Sequence, residues 1–222
     1  KRPIISNSQT KQWVPRGFVV VHSSSPGTGL SQGCPTVGGD NESLAPKAVI
    51  DWLCGRANGY TEVDGTETVK AFWSTGKVGM TGTSYNGAKR EHCDCEVRDK
   101  EMANGQDRVT GDYNDFWAGR DYINDMGPMR AAMLMAHGFN DWNVVPEHSV
   151  RIYEYAKAKG LPVQFYCHQG GHGGEPPIEM MNRWFTRYLH GVDNDVEKDP
   201  KSRIVREKDK RSQPTSYGDY PH

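Results

Sequence analysis

Three residues along the chain carry the side chains that nucleophilic acyl transfer requires: Ser84, Asp141 and His172. A serine hydroxyl needs a base to take its proton as it attacks a carbonyl carbon, and a neutral imidazole is suited to that task. A carboxylate beside the imidazole fixes its tautomer and stabilises its charged form. We therefore predict a catalytic triad with Ser84 as nucleophile, Asp141 as the orienting acid and His172 as the base.

The candidate nucleophile lies in the stretch 76–87, which reads GKVGMTGTSYNG. The apolar run 78–80 predicts a short buried strand, and the small residues after it predict a sharp turn that exposes the serine hydroxyl. The spacing is G-x-S-x-x-G, with Asn86 where the commonest pattern has its second glycine. The backbone N–H of Tyr85 would donate a hydrogen bond to the developing oxyanion. The alternative is a plain glycine- and serine-rich turn after a strand.

Asp141 and His172 each follow a predicted strand. The apolar run 129–136 ends in the loop HGFNDWNV, and the strand 162–167 leads into the loop HQGGHGG. The 31 positions that separate Asp141 from His172 accommodate a helix, a strand and a turn. One αβ unit of this length would bring the acid loop (137–144) and the histidine loop (168–174) side by side.

Each of these residues also has a simpler interpretation. Asp141 alone could cap the helix predicted after Val145. His168 and His172 are four residues apart, as metal ligands on a helix often are, but the two glycines between them disfavour a helix and therefore a metal site. We predict that His168, His137 and His22 are structural histidines at strand ends.

The predicted elements alternate between strands and helices. We expect a buried strand over 18–22, a long loop over 23–40, and a helix that begins at Asn41 or Ser43 and ends at Leu53 with Pro46 in its first turn. Further helices are expected from 146 to about 160, where Gly160 ends the helix, and from 177 to 190. The charged, proline-containing tail 193–222 resembles a linker that leaves a domain over 1–192.

The segment after the predicted turn does not suit a buried helix. A helix that packs under a sheet behind an exposed nucleophile should be apolar, whereas 89–101 reads KREHCDCEVRDKE. We therefore predict that a segment is missing between about residues 88 and 89.

Composition excludes several classes of partner. The 222 residues carry 27 basic and 28 acidic side chains, which argues against nucleic acid or an acidic membrane surface. The sequence contains no apolar run near the roughly 20 residues of a membrane span. Five scattered cysteines fit reduced thiols. A metal site at His92, Cys93 and Cys95 is disfavoured because the cysteines are too close together and no second pair follows. The pattern implies neither a cofactor nor a cellular compartment, and a homo-oligomer is compatible with it.

The stretches 48–56, 76–87, 137–144 and 168–174 resemble the Xaa-Pro dipeptidyl-peptidase family of serine hydrolases, which also includes cocaine-esterase-like acylases. The resemblance implies an α/β-hydrolase fold with a mostly parallel central sheet flanked by helices. It also implies release of X-Pro dipeptides through an acyl-enzyme by Ser84, Asp141 and His172, from peptides with proline at the second position. Trp142 and Val144, beside the triad, are candidates for lining the proline pocket.

The sequence departs from that family in three ways. The helical cap that the family inserts after the nucleophile helix is largely missing, and the chain stops where the family's C-terminal β-sandwich should begin. The tyrosine that usually supplies the second oxyanion donor is absent before the strand at Phe18. An esterase or amide acylase of the same family, and a non-catalytic remnant that acts as a binding module, therefore stay open as alternatives.

Overall fold

A computed structural model describes residues 7–36, 38–82 and 103–220, and the contacts between residues divide the chain into two units. The first unit comprises 1–78 and 87–122, and the second comprises 79–86 and 123–222. Several predictions lie outside the described residues: Ser84, Tyr85, the charged stretch 89–101, and the candidate metal ligands His92, Cys93 and Cys95.

The first unit is mainly short helices and loops. Its elements are α1 (Asn7–Trp13), a 3₁₀ turn (Val14–Arg16), α2 (Asp40–Leu53), the hairpin strands β1 (Gly59–Tyr60) and β2 (Thr68–Val69), α3 (Ala103–Gly105) and α4 (Asp115–Ala118). The Trp52 indole donates to the carbonyl of Val69 and so attaches α2 to the hairpin. The Asn114 side chain caps α4 by accepting from two backbone N–H groups.

Three sequence predictions for this unit differ from the structure. Residues 18–22 do not form a strand, and Val19 is 65% exposed. Among the described residues of this unit, β1 and β2 form the only strand ladder, and neither strand pairs with this run. Helix α2 begins at Asp40, so Pro46 lies in its interior and not in its first turn. Cys34 forms a disulfide, whereas Cys54 and Cys167 are free thiols.

The second unit is an α/β arrangement around a four-stranded sheet. After a 3₁₀ turn (Tyr122–Asp125) come β3 (Met133–Gly138), α5 (Pro146–Ala158), β4 (Val163–His168) and α6 (Ile178–Phe185), which continues as a π-helical turn (Thr186–His190). A 3₁₀ turn (Val196–Lys198), β5 (Ser202–Ile204) and β6 (Thr215–Tyr217) follow. The strand order is β3-β4-β5-β6; β3, β4 and β5 run parallel and β6 is antiparallel.

Helices α5 and α6 cover opposite faces of β4. Because side chains alternate along a strand, Phe165 and Cys167 pack with Tyr153 of α5, while Tyr166 packs with Met180 of α6. Both faces are therefore buried, and every residue of β4 is buried. Pro146 begins α5, and Gly160, at φ +73°, follows its C-terminal cap, as the sequence indicated.

The tail predicted to be a linker contributes two strands to this sheet. Strand β5 pairs with β4, β6 pairs with β5, and Val196, Ile204 and Val205 are buried. The tail is mostly charged, and for that reason its composition resembled that of a linker. Its few apolar residues nevertheless complete the core. None of the helices in the described part of the chain has the length and apolar character needed to span a bilayer.

Candidate active site

The carboxylate of Asp141 is held by the backbone of its own loop. Its Oδ1 accepts hydrogen bonds from the N–H groups of Asn143 at 2.8 Å and Val144 at 2.9 Å. Helix α5 begins after Val145 without a side-chain cap, so Asp141 does not cap that helix. Burial opposes the charged form, but the bonds from Val144, His172 and Asn143 outweigh it and lower the pKa of Asp141 to about 2. The carboxylate is therefore ionised at neutral pH.

The second oxygen of this carboxylate, Oδ2, is hydrogen-bonded to the imidazole of His172. Asp141 Oδ2 lies 2.8 Å from His172 Nδ1, and because the carboxylate can only accept, Nδ1 carries the proton. Nε2 of the neutral ring then has a lone pair, and its contact with the side-chain amide of Asn143 is long, at 3.4 Å. The His172 side chain is 32% exposed. A buried carboxylate thus orients a histidine whose other nitrogen can accept a proton.

Backbone and amide hydrogen bonds join the acid loop to the histidine loop. Gly138 and His168, the last residues of β3 and β4, are paired in the sheet. Beyond them, the N–H of Asn140 donates to the carbonyl of Gly170 at 3.1 Å, and its side-chain amide donates to the carbonyl of Gln169 at 2.7 Å. Asn140 has no role in the sequence-based prediction, because its bonds cross between loops 29 residues apart.

His137, near the end of β3, is hydrogen-bonded to the acid loop. Its Nε2 lies 2.9 Å from the carbonyl of Val144 and therefore donates to it, so Nδ1 accepts from the hydroxyl of Ser149 at 2.7 Å. Nε2 also lies 3.5 Å from Asp141 Oδ2. His137 is a structural histidine with both nitrogens bonded, and it contacts the residue that orients His172.

Asp141 and His172 face a cavity of about 280 Å³ within the second unit. Apolar side chains supply much of its wall, among them Leu134, Ala136, Val144, Met181 and Phe185. Residues 80–82 line the cavity as well, immediately before the part of the chain that contains Ser84. The described cavity therefore combines an acid–base pair with an apolar wall.

The other predicted pocket residues occupy different places. Val144 lines the cavity, whereas Trp142 does not line it and is 96% exposed. Glu175, which the sequence did not single out, lines the cavity three residues after His172. Its position depends on the preceding Gly173 and Gly174, both at positive φ, which turn the chain back along the wall.

These features define an α/β protein in which a buried aspartate bonds a partly exposed histidine at the carboxyl ends of parallel strands, where such folds place their reactive groups. The particular family follows from comparison with known proteins. The model of the X-Pro dipeptidyl-peptidase family (S15) matches residues 3–91 and 88–174. The chain therefore belongs to the X-Pro dipeptidyl-peptidase family.

Relatives are found in several bacteria. A protein of Rhodopirellula baltica named "Putative Xaa-Pro dipeptidyl-peptidase" is 54% identical over 100% of this chain and 45% of its own length. A Bacillus anthracis protein of the same name is 35% identical over 88% of this chain and 42% of its own length. An "Xaa-Pro dipeptidyl-peptidase" of Ligilactobacillus salivarius is 28% identical over 82% of this chain and 31% of its own length. The chain thus spans less than half the length of these relatives.

Proposed function

We propose that this chain is the catalytic part of a serine hydrolase with the α/β-hydrolase fold, and that it releases Xaa-Pro dipeptides from peptide N-termini. The observation that carries the proposal is the hydrogen bond between Asp141 and His172 at the edge of an apolar cavity. In this mechanism His172 Nε2 takes the proton of Ser84 as the serine attacks the carbonyl carbon of the substrate's proline. It then returns that proton to the leaving amine, and water hydrolyses the acyl-enzyme by the same route.

Chain connectivity supports Ser84 as the nucleophile. Gly82 lines the cavity and precedes Ser84 by two residues, and two residues span at most about 7 Å. The N–H of Tyr85 is the corresponding candidate for one oxyanion donor.

A missing segment explains the charged stretch after Ser84. The family model matches in two pieces that meet at residues 88–91. The match to the Rhodopirellula baltica protein extends over 281 positions against the 222 residues of this chain, so some 59 positions of that protein have no counterpart here. We place the missing segment between residues 88 and 89, and we place the family's further C-terminal domain after the sheet that ends with β6.

Three wild-type assays test the proposed activity: a chromogenic Ala-Pro amide, the same amide with an acetylated N-terminus, and a simple aryl ester. Preferential turnover of the free-amine Ala-Pro amide is the expected result. Turnover of the ester alone would contradict the peptidase proposal and favour the acylase alternative. If no substrate is turned over and a fluorophosphonate labels no residue, the non-catalytic alternative gains instead.

Glu175 is the proposed anchor for the substrate's free amine. Glu175 is a carboxylate that lines the cavity beside the Asp–His pair. A dipeptidyl-peptidase must recognise a positively charged N-terminus, and hydrogen bonds to charged groups contribute about 1.5–3 kcal/mol. The carboxylate of Glu175 has the charge that this recognition requires.

We expect Glu175→Gln to raise KM for Ala-Pro amide about 10- to 100-fold and to leave kcat within a few-fold, because the ammonium loses its counter-charge while the Asp–His pair is intact. Steady-state kinetics on the free and acetylated amides measures the effect. Ester turnover should not change. The exposed Glu179 on α6 does not line the cavity, so Glu179→Gln is the matched control. Equal loss in both variants would contradict the assignment.

A further inference from the structure

His168 is a histidine buried to 1% exposure at the end of β4, and the mechanism above does not use it. Its carbonyl accepts from the N–H of Phe139 in the acid loop at 2.8 Å. Its ring nitrogen Nδ1 accepts from the N–H of Gly170 in the histidine loop at 3.0 Å. One residue therefore bonds to both loops that carry the Asp–His pair.

The imidazole ring of His168 also fills the space between these loops. A Cβ added at Gly170 would lie 2.9 Å from its Nδ1. A Cβ added at Gly138, at the end of β3, would overlap the carbonyl oxygens of Gly170 and Gly171 and also lie 2.9 Å from the Cε1 of His168. A Cβ at Gly174 would overlap its Nε2. Real Cβ atoms do not approach other atoms this closely, so the three glycines permit both loops to close on the ring.

From these contacts we infer that His168 is a positioning residue that sets the distance between Asp141 and His172. The ring acts through Gly170 and Gly174, which precede and follow His172, and through Gly138, which begins the acid loop. The bond from Gly170 requires an acceptor at Nδ1, so only the neutral ring with its proton on Nε2 fits. A protonated ring would turn an N–H of its own toward the N–H of Gly170 and break this bond.

The surroundings keep the ring neutral. Burial is the main cause that lowers the pKa of His168, and the positive charge of Arg211, on the loop between β5 and β6, lowers it further. His137 on β3 acts in the same direction, while the backbone of Gly173 and Gly174 opposes the shift. On β4 itself, the phenol ring of Tyr166 lies 5.9 Å away. The neutral ring therefore persists to lower pH than an ordinary histidine, and the geometry is lost once the ring is protonated.

Two substitutions separate the hydrogen bond from the volume of the ring. An asparagine side chain readily accepts from the N–H two residues further on, so His168→Asn retains an acceptor for Gly170. His168→Leu fills similar space without an acceptor. The readout is the NMR signal of the proton between His172 Nδ1 and Asp141, which such hydrogen bonds shift far downfield. It requires no turnover, so it tests this inference even if the proposed function, on which its catalytic meaning rests, is wrong.

We expect His168→Asn to keep the downfield signal and His168→Leu to lose it, with both proteins folded by circular dichroism. An unchanged signal in folded His168→Leu would overturn the inference. If His168→Leu does not fold, acid titration of the wild-type chain decides. The signal should disappear in step with protonation of His168, which the NMR chemical shift of its ring carbons monitors. Protonation of His172 itself retains the Nδ1–H bond to Asp141, so persistence of the signal below the His168 midpoint would also overturn the inference.

Discussion

Asp141→Asn is expected to lower kcat about 10⁴-fold, the size of effect known for a serine-protease triad in which the acid becomes an amide. The asparagine oxygen can still accept from the N–H groups of Asn143 and Val144, which hold Oδ1 in the wild type. Its amide nitrogen then faces His172 Nδ1, where a carboxylate oxygen lies 2.8 Å away in the wild type. The imidazole must accept at Nδ1 and carry its proton on Nε2. In that tautomer it cannot take the proton of Ser84.

Steady-state turnover of Ala-Pro amide and of an aryl ester measures this loss, and the rate of fluorophosphonate labelling measures it if turnover is too slow. Asp219→Asn is the matched control, because Asp219 also has its pKa lowered to about 2, by hydrogen bonds from Tyr153 and Lys157. It tethers the end of the chain to α5 and does not line the cavity. A comparable kcat in both variants would contradict the role proposed for Asp141.

The lowered pKa of Asp141 also makes the stability of the folded chain depend on pH in acid. The pKa of Asp141 is about 2 in the folded chain against 3.8 for the ordinary side chain, so its carboxylate stabilises the folded state above pH 3.8. That contribution is lost as pH falls from 3.8 toward 2. Acid unfolding of Asp141→Asn should therefore depend less steeply on pH across this window than that of the wild type, as circular dichroism can measure.

The β3-α5-β4 unit could be predicted from the sequence because its signals are local. Pro146 and Gly160 mark the two ends of α5, and apolar runs mark both strands. The parallel pairing of β3 and β4 then follows from the helix that connects them. Placement of Asp141 and His172 on neighbouring loops depends on these signals alone.

Other features depend on contacts that no local pattern encodes. Residues 18–22 have strand-like composition but pair with no strand among the described residues of their unit, while the charged tail gains a neighbouring strand when β5 pairs with β4. Asn140 and His168 join the two loops through bonds between residues far apart in the chain. The sequence shows only that His168 precedes a glycine-rich loop, and it does not indicate that the ring packs inside that loop.

Ser84→Ala is expected to lower kcat about 10⁶-fold, because the covalent step then has no nucleophile while substrate still binds. Fluorophosphonate labelling reports on the nucleophile without any turnover of peptide, so it is the more sensitive measurement of this loss.

A fluorophosphonate should form one adduct per wild-type chain, located at Ser84 by mass spectrometry, and none on Ser84→Ala. Ser74→Ala is the control, since Ser74 lies ten residues before Ser84 and its hydroxyl oxygen accepts from the N–H of Gly76 at 3.2 Å in an exposed turn. The fluorophosphonate should label the Ser74→Ala variant at the wild-type rate. Undiminished labelling of Ser84→Ala would identify another nucleophile and contradict the triad. Labelling of Ser84 without amide turnover would mean that the Asp–His pair activates the serine, and that the segment we propose to be missing near residue 88 is needed to hold the peptide.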